Sequence, residues 1–173
     1  GLGEYKKAKD LLEKSYKTYI NYFTENHPDV LRITFQLGNV YRALGNLNEA
    51  KNILEKSKQL YEKNFSSYQI EIAQILYFLG NLYKDCKEFK KSRILLEKSL
   101  TIYSQIFGNE HLETAHVLND LGHLYLIQGF VEDAEYLCEK SLKILQRNGH
   151  PESYKSLEYL AEIYFNKFTK ALH

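Results

Sequence analysis

Apolar side chains recur at three- and four-residue spacing along nearly the whole chain. Between Glu4 and Phe23 they are Tyr5, Ala8, Leu11, Leu12, Tyr16 and Tyr19. Residues three and four apart lie above one another on an α-helix, so these form one amphipathic face. No stretch carries the two-residue alternation of a half-buried strand. The same spacing predicts helices over about 29–43, 47–63, 68–86, 88–107, 112–128, 131–147 and 151–166, with 166–171 opening a further helix. Pro28 suits a first helical turn, where its missing N–H is not needed, and Asp29 complements the helix dipole there. Gly45 allows a short turn, which forces the helices on either side antiparallel.

The pattern also repeats as a unit. LGNVYRALGNLNEAKNILEKS at Leu37 to Ser57 returns as LGNLYKDCKEFKKSRILLEKS at Leu79 to Ser99. It returns again as LGHLYLIQGFVEDAEYLCEKS at Leu121 to Ser141, each copy 42 residues after the last. The second half alone opens the chain, as GEYKKAKDLLEKS at Gly3 to Ser15. In the last copy Tyr164 follows Tyr125 by 39 residues, so that linker is three residues shorter. A fixed period of 20–50 residues marks a repeat array. One array is expected over 1–173, with a half repeat at 3–23, full repeats at 29–63, 68–107 and 112–147, and a partial repeat at 151–173. Starting and stopping in mid-unit reads as a piece of a longer array, because terminal repeats normally carry polar caps.

Three small-residue rows run through the copies. Gly38, Gly80 and Gly122 lie inside helices, where Gly costs about 1 kcal/mol relative to Ala. Their shared phase, held by Ala161 in the fourth copy, predicts close approach of a neighbouring helix. Ala8, Ala50, Ser92 and Ala134 form a second row, and Ser15, Ser57, Ser99 and Ser141 a third. Leu11, Ile53, Leu95 and Leu137 form an aliphatic row, and Tyr41, Tyr83, Tyr125 and Tyr164 an aromatic ladder assigned to the core. The Glu-Lys pairs at 13–14, 55–56, 97–98 and 139–140 read as a solvated face, where charges contribute little.

Leu-Gly-x-x-Tyr followed by Gly, Ala, an apolar residue and a small one resembles the tetratricopeptide repeat. In the first full copy the match is Leu37, Gly38, Tyr41, Gly45, Ala50, Leu54 and Ser57. Thr34, Leu76, Leu118 and Leu157 stand where that family has Trp. The period exceeds the family's usual 34 by about one helical turn per helix. With the HPDV and GNEHLETA segments before two first helices, this is similar to the kinesin-light-chain subclass. The resemblance implies an all-α, right-handed α-solenoid of about eight helices in antiparallel pairs. It also implies a concave, peptide-binding face lined by the first helix of each pair.

Outside the core, those first helices present Arg32, Phe35, Asn39 and Arg42, then Gln74, Tyr77, Asn81 and Lys84. The later copies present His116, Asn119 and His123, then Glu158 and Glu162. Side-chain amides offer both donor and acceptor to the backbone of an extended peptide. Aromatic, amide and basic groups lie toward the N-terminal end, and Asp120, Glu158 and Glu162 make the other end more acidic. The carboxylate clamp of some tetratricopeptide proteins is not matched: its Lys, Asn, Lys and Arg positions hold Phe35, Asn39, His116 and Asp120. His116, Asp120 and His123 share one helix face, but the two His lie about 10 Å apart along the axis, too far to hold one ion. They read as a polar patch, with no metal expected. His27, His111 and His150 sit in the linkers, beside helix starts, as local structure.

Composition narrows the function classes. Apolar residues make up 44% and charged residues 26%, ordinary for a folded soluble protein. A net charge of +1 gives no electrostatic case for nucleic acid or an anionic membrane. No apolar run approaches the ~18 residues of a membrane span. Cys86 and Cys138 lie in helical patterns and read as space-filling free thiols in a reducing, cytoplasmic setting. No glycine-rich phosphate loop and no nucleophile–base pair is present, so neither an enzyme nor a cofactor is expected. The expected function is a non-catalytic scaffold binding a linear peptide segment of a partner protein. The alternatives are a self-associating segment pairing end to end through apolar helix faces, and a peptide-sensing regulatory domain.

Overall fold

The computed structural model describes residues 2–25, 27–64 and 68–171. Among the described residues there are eight α-helices and no strand. They are α1 (Leu2–Tyr22), α2 (Pro28–Ala43), α3 (Leu47–Asn64), α4 (Gln69–Asp85), α5 (Phe89–Phe107), α6 (Leu112–Ile127), α7 (Val131–Arg147) and α8 (Ser153–Ala171). The helices group into two compact units, 1–88 and 89–173. In the first, each of α1 to α4 packs on the next, and α2 also touches α4. In the second, each of α5 to α8 packs on the next, and α6 touches α8. Each unit is therefore built from helical hairpins whose first helices meet, the all-α repeat fold that the periodicity predicts.

The hairpin turns follow one backbone rule. Gly45 and Gly129 adopt φ of 79° and 84°, and Lys87 takes φ of 61° at the same place. The left-handed residue lets the next N–H return to the helix: Asn46 N–H to Tyr41 O, Glu88 N–H to Tyr83 O, and Phe130 N–H to Tyr125 O. The fourth copy has Phe168 at this place, a bulky residue that disfavours the left-handed region. The break expected near Asn166 is absent. The stretch 166–171 does not open a partner helix, and α8 continues through it to Ala171.

The linker histidines start helices. Nδ1 of His27 accepts from Asp29 N–H at 3.3 Å, and Nδ1 of His111 from Glu113 N–H at 3.2 Å. His150 does the same for Glu152 N–H at 3.3 Å. His27 and His111 each satisfy an N–H that the first helical turn leaves without a partner, while His150 bonds within the turn just ahead of α8. Phe23 and Phe107 stack on His27 and His111, with ring centroids 4.3 Å apart in both cases. At the remaining linker the same phase holds Gln69, and the cap residue Tyr68 makes no side-chain cap bond.

The small residues do mark close approach. A Cβ on Gly38 would lie 2.5 Å from Leu54 Cγ, and one on Gly122 would lie 2.6 Å from Cys138 Sγ. The core row on the second helices is therefore Leu54, Leu96 and Cys138, all fully buried. Ile53, Leu95 and Leu137, one residue earlier, are only half-buried, and Leu11 is exposed. A one-residue step turns a helix by about 100°, which carries that row off the glycine face.

The tyrosine ladder and the Glu-Lys pairs need correcting together. Only Tyr83 is buried; Tyr41 and Tyr125 are half-buried, and Tyr164 is exposed. Their hydroxyls donate to the glutamates read as a solvated face: Tyr41 to Glu13 at 2.8 Å and Tyr83 to Glu55 at 2.7 Å. Tyr125 reaches Glu97 at 3.3 Å, and Tyr164 reaches Glu139 at 3.3 Å. Each pair ties a first helix to the second helix of the preceding copy. The tie fixes the Glu at the position where charge alone would have been interchangeable.

Candidate partner-binding faces

In the first unit the face is built by α2 and α4. Helical phase sends Leu31, Leu37, Ile72, Ile75 and Leu79 inward, all buried. The residues between them are left for the opposite face. Arg32, Phe35 and Gln74 line a cleft of about 270 Å³, together with Pro28, Asp29, Tyr61, Tyr68, Glu71 and Ile75. Arg32 is oriented by Asp29, whose Oδ1 accepts from its Nη2 at 2.9 Å. Phe35 packs edge-on against Phe78, with centroids 5.0 Å apart, and Tyr77 packs edge-on against the same ring at 5.2 Å. Tyr61 and Tyr68 lie 6.2 Å apart on the cleft wall. Burial, with the carboxylate of Glu71, pushes the Tyr61 hydroxyl up to about 12. It stays neutral at physiological pH.

The other expected residues of this unit have different settings. Asn39 is half-buried, and its Oδ1, which is out of solvent, accepts no hydrogen bond among the described residues. Arg42 is committed to Asp85, with its Nε 2.6 Å from Oδ2. Asn81 is buried, and its Nδ2 donates back to Tyr77 O at 3.3 Å, a structural role. Lys84 is half-buried. The sequence reading missed Asp29, Tyr61, Tyr68 and Glu71. A signal existed, since Tyr19, Tyr61 and Tyr103 stand 42 residues apart at the ends of second helices.

In the second unit, contacts of α6 with α8 and with the linker just before it take up most of the expected face. His116 Nδ1 lies 3.2 Å from Glu152 Oε2, and its ring meets His150 edge-on at 5.1 Å. Burial lowers the His116 pKa against the pull of Glu152 and favours the neutral ring. Asn119 is buried, and its Oδ1 accepts from Ser156 Oγ at 2.8 Å. His123 stacks flat on Tyr159, with centroids 4.3 Å apart. Glu158 and Glu162 are exposed. Of the expected face in this unit, only these two carboxylates stand open to solvent.

Among the described residues no helix is long and apolar enough to cross a membrane. No curated protein matches the chain by sequence. Solved structures do match. BtubC (BKLC) from P. vanneervenii superposes with a TM-score of 0.79 at 22% identity, over 94% of this chain and 66% of that one. The nearly identical TPR-like repeats of a putative kinesin light chain from Podosopora anserina give 0.78 at 23% identity, over 98% and 82%. Aspartyl phosphate phosphatase F from Bacillus subtilis gives 0.77 at 13% identity, over 94% of this chain and 42% of that one. This chain thus spans just under two thirds of BtubC and less than half of the phosphatase. These likenesses share the fold. At the level of sequence, the model of the tetratricopeptide repeat matches residues 1–63 and 71–147. The chain belongs to the tetratricopeptide repeat family.

Proposed function

We propose that the chain is a non-catalytic protein-interaction scaffold that holds an extended segment of a partner protein on the faces of its first helices. The cleft between α2 and α4 carries this reading. Phe35, Tyr61 and Tyr68 give it aromatic walls, and Gln74 offers donor and acceptor together. Membership of a repeat family whose units present serial helix faces supports the same conclusion. The buried thiol of Cys138 is pushed up to about 12 by burial, which keeps it protonated and a poor nucleophile.

A peptide-display selection tests the proposal, run on the wild-type chain beside an Arg32→Ala/Gln74→Ala variant. Arg32 is exposed and Gln74 half-buried, so helicity is expected to be unchanged. Asn81→Ala is the wrong probe, because Asn81 is buried. The expected result is one enriched motif whose affinity drops about tenfold or more in the variant. No enrichment, or a motif bound equally by the variant, would sink the proposal.

A further inference from the structure

The charges of the α2–α4 cleft do not balance. Among the described residues that line it, the charged ones are Asp29, Arg32 and Glu71. Arg32 and Asp29 answer each other at 2.9 Å. Glu71 is half-buried and makes no ion pair among the described residues. It stands in the first turn of α4, where the helix dipole favours a carboxylate but supplies only a fraction of a counter-charge. Phe35, Tyr61 and Tyr68 line the same cleft, and the face of each ring carries partial negative charge. The field at the Tyr61 hydroxyl fits this picture. After burial itself, Glu71 acts first in holding that proton, with Arg32 opposing it.

We infer that the cleft is a socket for one basic side chain of the bound segment, arginine in preference to lysine. This rests on the peptide reading above and names the chemistry of its anchor. Charge complementarity selects the occupant. An aliphatic or aromatic anchor would cover Glu71 without pairing it, and a carboxylate buried unpaired is costly. An acidic anchor would face Glu71 and Asp29 with only an engaged guanidinium to meet it. A cation pairs with Glu71 and rests against aromatic faces. Arginine suits this best, because its planar guanidinium both stacks on rings and grips a carboxylate with two N–H groups. The cleft holds about 270 Å³, below the roughly 300–1,000 Å³ of small-molecule pockets, which matches one long side chain. Arg32 keeps a separate task. Among the described residues it gives one N–H to Asp29, and its other donors remain for carbonyls of the segment. Arg32 and Gln74 then hold the backbone, while Glu71 selects the side chain.

A random peptide library displayed against the wild-type chain, Glu71→Gln, Glu71→Lys and the Arg32→Ala/Gln74→Ala variant tests this. Circular dichroism confirms unchanged helicity in each. The wild type should enrich a motif with arginine or lysine at one fixed position. A synthetic peptide of that motif should lose about tenfold or more in affinity when its arginine becomes citrulline, which keeps the shape and removes the charge. Glu71→Gln should bind the two peptides equally. Glu71→Lys should enrich an acidic residue at the same position, a gain that a misfolded variant could not produce. Arg32→Ala/Gln74→Ala should weaken both peptides and keep the preference for arginine. A motif weakened by Arg32→Ala/Gln74→Ala but lacking a basic position, or a basic position indifferent to Glu71→Gln, overturns the inference and leaves the peptide reading standing. Enrichment of nothing sinks the peptide reading, and the inference with it.

Discussion

Replacing Gly122 by Ala sets two opposed effects against each other. Ala in a helix interior is favoured over Gly by about 1 kcal/mol, so an open site would gain that amount. At Gly122 the new Cβ would lie 2.6 Å from Cys138 Sγ and 3.2 Å from the backbone oxygen of Ala134. Carbon prefers neighbours at about 3.5–4.0 Å, so the sulfur contact is more than half an ångström inside the repulsive wall. The carbonyl belongs to α7 and moves only if the helix moves. Overpacking of this kind costs about 1–3 kcal/mol, and two simultaneous contacts argue for the upper end. The net expectation is destabilisation of about 2 kcal/mol. Cys138→Ala removes the worst contact, leaving the 3.2 Å approach to the Ala134 carbonyl and an ordinary 3.4 Å contact with the backbone nitrogen of residue 138. In that background Gly122→Ala should be close to neutral, giving a coupling energy of about 2 kcal/mol between the two sites. Urea denaturation of the four proteins, followed by circular dichroism, closes the cycle. If Gly122→Ala stabilises the wild type, or its effect is the same with and without the thiol, the close-approach explanation of the glycine row fails.

Tyr83→Phe removes the hydroxyl that bonds to Glu55 at 2.7 Å beside Lys51, and should destabilise by about 1 kcal/mol in the same assay. No loss would show that the tyrosine–glutamate ties are incidental. Alkaline pH should weaken the fold. Burial holds the Tyr61 and Tyr159 protons to about 12, against 10.0 when exposed, so the folded chain retains protons that the unfolded chain releases. Stability from these groups is full below pH 10.0 and is lost as pH rises through about 12. Urea midpoints measured across that window should fall, and a flat profile contradicts the burial of these hydroxyls.

Much of the architecture was legible because a repeat states its own rules several times. A single Gly inside a helix says little. Gly38, Gly80 and Gly122 at one phase announce a helix crossing, and Leu54 and Cys138 are found pressed against two of them. The helix ends followed from the same logic wherever a left-handed residue recurs, and failed at α8, where Phe168 replaces it. The face residues were legible as positions and not as roles. Arg32, Phe35 and Gln74 do meet at one cleft, but Asn81 and Asn119 are buried, one bonded to its own helix and the other to Ser156.

By itself the sequence determined the fold class, the helix pairing and the phase of each helix, because these depend on local periodicity and on which residues tolerate a turn. Tertiary structure decided which polar groups remain for a partner. His116, Asn119 and His123 have the spacing of an open face, yet Glu152, Ser156 and Tyr159 occupy them, brought there by the packing of α6 on α8. Tyr61 and Tyr68 became walls of the cleft only when α3 and α4 were placed side by side. The glutamates of the Glu-Lys pairs became hydrogen-bond partners in the same way, across copies 28 residues apart and, at Tyr164, 25. Periodicity specifies the direction in which a side chain leaves its helix. What stands in that direction is set by the neighbouring helix.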